Sequence, residues 1–269
     1  MKAFTILSLM LIALSTSQIF LSEGTEEEKD QLPVDYIPNT GPDGKAILCY
    51  PKQLSSDKKH AVIMWGPGGG TEPGAYEGMI RRLGSHGFVV IAVSSSPGDA
   101  SKAIEALNWL EKKTDAPFSG KIDINTVGCS GHSMGGLESE QAIIKDKRVK
   151  TSILNNSGDL GHTAMGSVPA DRPIAIVYGN NGMERPNAEA DYGNPAVKAP
   201  ACLIMMDGAD HGHGSGPWDG MAATVAWFRW HLGGESFRKA DFVGSSGKYI
   251  NGPIIGKRVN WKGQCKNFS

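Results

Sequence analysis

"VGCSGHSMGG", residues Val127 to Gly136, decides how the rest of the chain is read. Within it, Gly131-His132-Ser133-Met134-Gly135 fits G-x-S-x-G, a serine on a very tight turn between a strand and a helix. Such a turn puts the serine at unfavourable backbone angles and leaves its neighbours little room, so small residues are needed on both sides. The turn lifts the hydroxyl above the sheet. It also aims the first N–H groups of the following helix at whatever the hydroxyl attacks. The pattern has force only with a buried strand before it and a helix after it. Asn125–Cys129 reads as that strand and Leu137–Ile144 as that helix.

The alternation extends in both directions. Ala46–Tyr50 is a short apolar run at a sheet edge. His60–Trp65 is continuous and apolar, as in a strand buried on both faces, and it ends in Gly66-Pro67-Gly68-Gly69-Gly70. Tyr76–His86 has helical spacing, Phe88–Val93 is a second buried strand, and Asp99 can cap a helix over Ser101–Lys113. Beyond the motif, Val149–Leu154, Ile174–Tyr178 and Ala201–Met206 read as strands and Met221–Leu232 as an amphipathic helix. This order predicts the α/β class, with a mostly parallel central sheet and helices on both faces. In such sheets the functional site lies beyond the carboxyl ends of the strands. The glycine loop, Ser133, the loop after Tyr178 and His211 all fall there.

The chain has 269 residues, 40% hydrophobic and 20% charged, which suits one globular domain with terminal segments. Its formal net charge of -1, without a basic stripe, argues against a nucleic-acid partner. Lys2, the apolar run Phe4–Leu14 and Ser15-Thr16-Ser17 read as a secretory signal over 1–17. The run is too short to span a bilayer, so no integral membrane association is expected. A polar lead-in over 18–44, a main domain over 45–236 and a C-terminal extension over 237–269 complete the division. Secretion changes the reading of Cys49, Cys129, Cys202 and Cys265. An oxidising compartment allows two disulfides, although the segments around Cys129 and Cys202 are apolar enough for buried thiols. Cys265, in a polar tail, gains most from a bridge. Asn155-Asn156-Ser157 and Asn267-Phe268-Ser269 are glycosylation sequons.

A serine needs a base to become a nucleophile. Asp210-His211-Gly212-His213-Gly214 follows the last predicted strand. His211 is nearer the strand end and is the expected base, with His213 as the alternative. The oxyanion of acyl transfer needs at least two fixed N–H donors. The backbone of Met134 is expected to supply one, and Gly69, in a loop that lets backbone approach closely, the other. No cofactor is expected, and no metal, because an i,i+2 histidine pair without a spaced third ligand is a poor metal pattern.

Three segments carry a family resemblance. "GPGGG", "LGSHGFVVIAVSS" (Leu83 to Ser95) and "GKIDINTVGCSGHSMGG" (Gly120 to Gly136) resemble the α/β-hydrolase fold. The nearer likeness is to the secreted group of cutinase-like enzymes, PET hydrolases, and dienelactone-hydrolase and chlorophyllase relatives. The resemblance spans about Lys45 to Leu232. It implies Ser133 as nucleophile, His211 as base, and the N–H groups of Gly69 and Met134 as the oxyanion hole. The chain departs from the group where an aspartate usually follows the strand matching Ile174–Tyr178. Here the loop reads "GNNGMERPNAEADYGN", whose first carboxylate is Glu184. Glutamate can hold the imidazole. Asp159, Asp191 and Glu189 are alternative acids, and a site without a working acid is a further possibility. The group also tends to carry an aromatic residue beside the oxyanion loop and a tryptophan near the elbow, where this chain has Gly69 and His132. Trp65 and Trp218 are candidates for the pocket wall. His132 either projects toward the site mouth or packs under a loop.

The expected function is a secreted, monomeric serine carboxylic-ester hydrolase acting on a small-molecule or polymeric ester through an acyl-serine intermediate. A different class is a non-catalytic or weakly active binding protein on a hydrolase scaffold, supported by the irregular acid loop. Another is a carbohydrate- or wall-associated protein with the tail as its binding element.

Overall fold

Apolar runs alternating with helices build a nine-stranded sheet in the computed structural model, which describes residues 26–212, 219–254 and 260–268. The expected signal segment, His213 and Trp218 lie outside those residues. The strands are β1 (Val34–Thr40), β2 (Ala46–Pro51), β3 (His60–Gly66), β4 (Val89–Ala92), β5 (Ile122–His132), β6 (Val149–Asn155), β7 (Ile174–Gly179), β8 (Ala201–Met206) and β9 (Trp261–Lys266). Their order is β1-β2-β4-β3-β5-β6-β7-β8-β9. The run from β4 to β8 is parallel, whereas β1, β2 and β9 pair antiparallel with their neighbours.

The helices are α1 (Glu77–Ser85), α2 (Ser101–Glu111), α3 (Met134–Lys145), α4 (Arg185–Gly193), α5 (Asp219–His231), and the short α6 (Lys239–Phe242) and α7 (Lys248–Asn251). Strand β3 shows why its sequence lacks polar alternation. Val62 and Met64 join a core with residues of α2, α3 and α4, while Ile63 and Trp65 join a second core with residues of α1 and α5. Both faces are covered, so both must be apolar. Each such side chain stabilises the fold by roughly 1.5–3 kcal/mol. Helix α2 is held at its start by more than the predicted Asp99. Asp99 accepts the Ser101 N–H, but the buried Glu138 of α3 accepts the N–H groups of Gly98, Asp99, Ala100 and Ala103.

The sheet extends beyond the boundaries drawn from sequence. The described part of the lead-in, from residue 26, supplies edge strand β1, and its buried Glu27 pairs with Arg238 and with Lys248 at 2.9 Å. The C-terminal extension supplies β9, which covers the edge of β8, so the tail is a sheet element rather than a separate binding element. Its polar residues, Lys262, Gln264 and Lys266, hide the strand from a hydrophobic pattern.

Cys202 and Cys265 lie opposite each other in register and form a disulfide. The second possible bridge is absent among the described residues. Cys49 and Cys129 are buried thiols in the cores on opposite faces of the sheet. Burial pushes the Cys49 thiol up to about 12. The side-chain amide nitrogens of both sequon asparagines are engaged in hydrogen bonds. Asn155 is fully buried and donates to Ser130 Oγ at 3.0 Å, and Asn267 donates to the carbonyls of Val197 and Ala199. A glycan on either nitrogen would break these bonds.

Candidate active site

Strand β5 ends at His132 and α3 begins at Met134, so Ser133 alone makes the turn. Its φ of 54° and ψ of -115° are backbone angles that L-residues rarely adopt, and they cost on the order of 1–3 kcal/mol. Close backbone packing holds the turn. A Cβ on Gly131 would stand 2.5 Å from the Gly135 carbonyl carbon, and one on Gly135 would stand 1.9 Å from the Gly66 oxygen. The motif glycines therefore let β3, β5 and α3 meet. The Ser133 N–H donates to the Asn155 carbonyl of β6 at 3.0 Å, and Ser157 Oγ donates to the Ser133 carbonyl at 2.8 Å.

His211 lies between Ser133 and Glu184. Its Nε2 is 3.1 Å from Ser133 Oγ, and its Nδ1 is 2.7 Å from Glu184 Oε2. An ionised carboxylate only accepts, so Nδ1 carries the proton and Nε2 is left to accept from the hydroxyl. Glu184 is 5% exposed and also accepts the Gly179 N–H at 3.3 Å. It reaches back over Gly182, where a Cβ would stand 2.2 Å from its Oε1. The loop is tied to the His211 loop: the N–H groups of Asn180 and Asn181 donate to the carbonyls of Met206 and Ala209.

The other carboxylates weighed for this position serve elsewhere. Asp191 accepts the Asp159 N–H at 2.5 Å and bonds His162 Nδ1 at 3.1 Å. Asp159 accepts the N–H groups of Thr163 and Ala164. Together they shape the loop bearing Leu160. Glu189 bonds Arg185 and the Tyr178 hydroxyl. Neither Asp159, within that loop, nor Asp191, on α4, is hydrogen-bonded to His211.

Met134 opens α3, so its N–H has no intrahelical partner. The Gly69 N–H has no acceptor among the described residues. A Cβ on Gly69 would stand 3.2 Å from Met134 Cγ, so the glycine loop lies against the first turn of α3. Tyr76, just before α1, shapes that loop by accepting the Gly68 N–H at 2.8 Å. Its hydroxyl is also 3.0 Å from His132 Nδ1. His132 is buried and hydrogen-bonded rather than projecting into the cleft. Burial pushes its pKa down, against the opposing pull of its hydrogen bond to the His211 carbonyl. Trp65 packs against Tyr76 in the core rather than on the pocket wall.

A cleft of about 270 Å³ opens at Ser133, lined by Met134, Leu137, Leu160 and Met183 with Asn156 and Asn187. Leu160 is 79% exposed and Met183 77%. Tyr76, Asn155 and Asn156 were missed by sequence reasoning. The paired asparagines at the end of β6 were the available signal, because polar residues at a parallel-strand end face the site. Among the described residues, no group of three or more His, Cys, Asp or Glu side chains is arranged to hold a metal ion.

The model of the PET hydrolase-like family (PETase) matches residues 35–239. The chain belongs to that family. Membership makes this PETase-family sheet an α/β-hydrolase fold and the protein a hydrolase. No curated protein matches the chain closely. The family match starts within β1 and ends at the first residue of α6, so β9 lies beyond it, and with it Cys265, one half of the disulfide.

Proposed function

We propose that the protein is a secreted serine carboxylic-ester hydrolase. Ser133 Oγ attacks the ester carbonyl while His211 Nε2 takes its proton. The N–H groups of Met134 and Gly69 stabilise the developing oxyanion. His211 then protonates the leaving alcohol, which departs from an acyl-Ser133 ester. In the second half His211 deprotonates water, which attacks that ester, and His211 then returns the proton to Ser133 Oγ as the carboxylic acid leaves. Glu184 keeps the imidazole in its tautomer and stabilises the imidazolium between these steps.

The observation behind this reading is the continuous chain from Ser133 Oγ to His211 at 3.1 Å and from His211 to Glu184 at 2.7 Å. The non-catalytic alternative rested on an irregular acid loop, and that loop carries a carboxylate at hydrogen-bonding distance. The aliphatic and thioether wall of the cleft favours an apolar acyl group. The disulfide suits an oxidising compartment, and no helix among the described residues is long and apolar enough to cross a membrane. Labelling by a fluorophosphonate probe tests the reading. The parent protein should label and Ser133→Ala should not; folded parent that resists the probe contradicts it. Protein recovered from culture medium should begin near Gln18 and run as a monomer in size exclusion.

A further inference from the structure

His211 is carried by the loop after β8, and two side chains grip that loop by consecutive backbone carbonyls. His132 Nε2 is 2.7 Å from the His211 carbonyl oxygen. Asn156 Nδ2 donates to the Asp210 carbonyl, also at 2.7 Å. Both side chains stand on the sheet: His132 ends β5, and Asn156 follows β6 directly, its own N–H donating to Val177 of β7 at 2.7 Å. Asn156 has φ 47°, a left-handed conformation that asparagine tolerates better than most residues.

The tautomer of His132 follows from its partners. A carbonyl can only accept, so Nε2 carries the proton and Nδ1 of the neutral ring accepts. Nδ1 faces the Tyr76 hydroxyl, whose oxygen accepts the Gly68 N–H. The bonds therefore run in one direction: Gly68 N–H to Tyr76, Tyr76 O–H to His132, and His132 N–H to the His211 carbonyl. One imidazole links the loop containing Gly69 to the loop containing His211.

We propose that His132 and Asn156 are positioning residues for the base, fixing the backbone at 210 and 211 so that the His211 ring stays between Ser133 and Glu184. His132 also sets that ring in one frame with the glycine loop. The proposal rests on reading Ser133 and His211 as nucleophile and base. A misplacement of about 1 Å in such a constellation costs roughly 100-fold in rate.

Three substitutions separate positioning from general support. His132→Asn keeps an amide near Tyr76 but is too short to reach the His211 carbonyl. His132→Gln brings an amide N–H back toward the Nε2 position. Asn156→Gly tolerates the positive φ and deletes the donor. On a short-chain p-nitrophenyl ester, His132→Asn and Asn156→Gly should each lower kcat by about 10- to 100-fold, with KM within about twofold of the parent. His132→Gln should recover most of the lost kcat. In substrate-free protein, the low-field proton resonance of the His211–Glu184 bond should broaden in the first two variants and sharpen again in the glutamine variant. Melting curves identify any variant that has unfolded. Unchanged kcat in both His132→Asn and Asn156→Gly, or a glutamine variant no better than the asparagine one, overturns the proposal. If the parent resists the fluorophosphonate, the functional reading fails, while the resonance still reports whether His132 and Asn156 order the ring.

Discussion

The two halves of the candidate site are built from different materials. In the elbow half, backbone packs on backbone: Gly66, Gly131 and Gly135 meet where a single Cβ would overlap a neighbouring main chain. In the acid–base half, side chains reach between loops: Glu184 extends back over Gly182, and His211 hangs from a loop gripped by His132 and Asn156. Backbone contacts cannot yield without moving strands and helices. Side-chain contacts can be lost while the fold survives. The elbow half therefore couples stability to activity, and the acid–base half separates them.

Alanine at one glycine of each half tests this contrast most severely. Gly135→Ala places a Cβ 1.9 Å from the Gly66 oxygen, so β3 and α3 must part. It should abolish activity and destabilise the fold by about 4 kcal/mol or more, read from denaturant unfolding. Gly182→Ala meets only the end of the Glu184 side chain, at 2.2 Å. Its melting temperature should stay close to the parent, while kcat falls about 100-fold because the carboxylate is pushed off His211.

Removal of the acid acts on the same contact more strongly than Gly182→Ala. Glu184→Gln keeps the shape and loses the charge that orients and stabilises the imidazole, so kcat should fall by roughly 10³- to 10⁴-fold. Asp191→Asn should leave kcat within about threefold, because Asp191 serves His162 and the Asp159 N–H instead. Steady-state kinetics on one ester distinguishes the two.

Specificity should move less. Leu160 stands 79% exposed on the cleft wall. Leu160→Ser should lower kcat/KM for an octanoyl ester by about tenfold relative to an acetyl ester. A chain-length panel measures this.

A last effect, on stability alone, concerns two carboxyls on one helix of the elbow half. Glu138 accepts four backbone N–H groups. Glu140, equally buried, has both oxygens without a hydrogen-bond partner among the described residues. Burial, then the nearby Asp191 and Asp159, raises the Glu140 carboxyl from 4.5 to about 8. A raised folded-state value favours the protonated form. Its stabilising contribution is complete below the unfolded value and is lost as pH climbs through about 8. Relative to Glu140→Gln, the parent should lose a few kcal/mol at most between pH 5 and 8.5, followed by thermal melts across that range.

The same division explains what the sequence discloses. Backbone constraints are written as residue types at fixed spacing, so Gly131, Ser133 and Gly135 announce a turn, and the continuous apolar run of β3 announces a buried strand. Side-chain reach is not written that way. Glu184 competed with Asp159, Asp191 and Glu189, and only the turns from Gly179 to Arg185 bring its carboxyl to His211. The roles of Tyr76, His132 and Asn156 depend on which strand ends become neighbours, a property of sheet order. Edge strands β1 and β9 were obscured because one face of each is wet and their polar residues dilute the apolar pattern.

The central claim is that Ser133 carries the acyl group under the direction of His211 and Glu184. Mass spectrometry of acid-quenched enzyme, taken during turnover of a p-nitrophenyl ester, tests it most directly. The account predicts one acyl group on the peptide containing Ser133, with adduct and turnover both lost in folded Ser133→Ala. An acyl group on another residue, or turnover at the parent rate in Ser133→Ala, would contradict it.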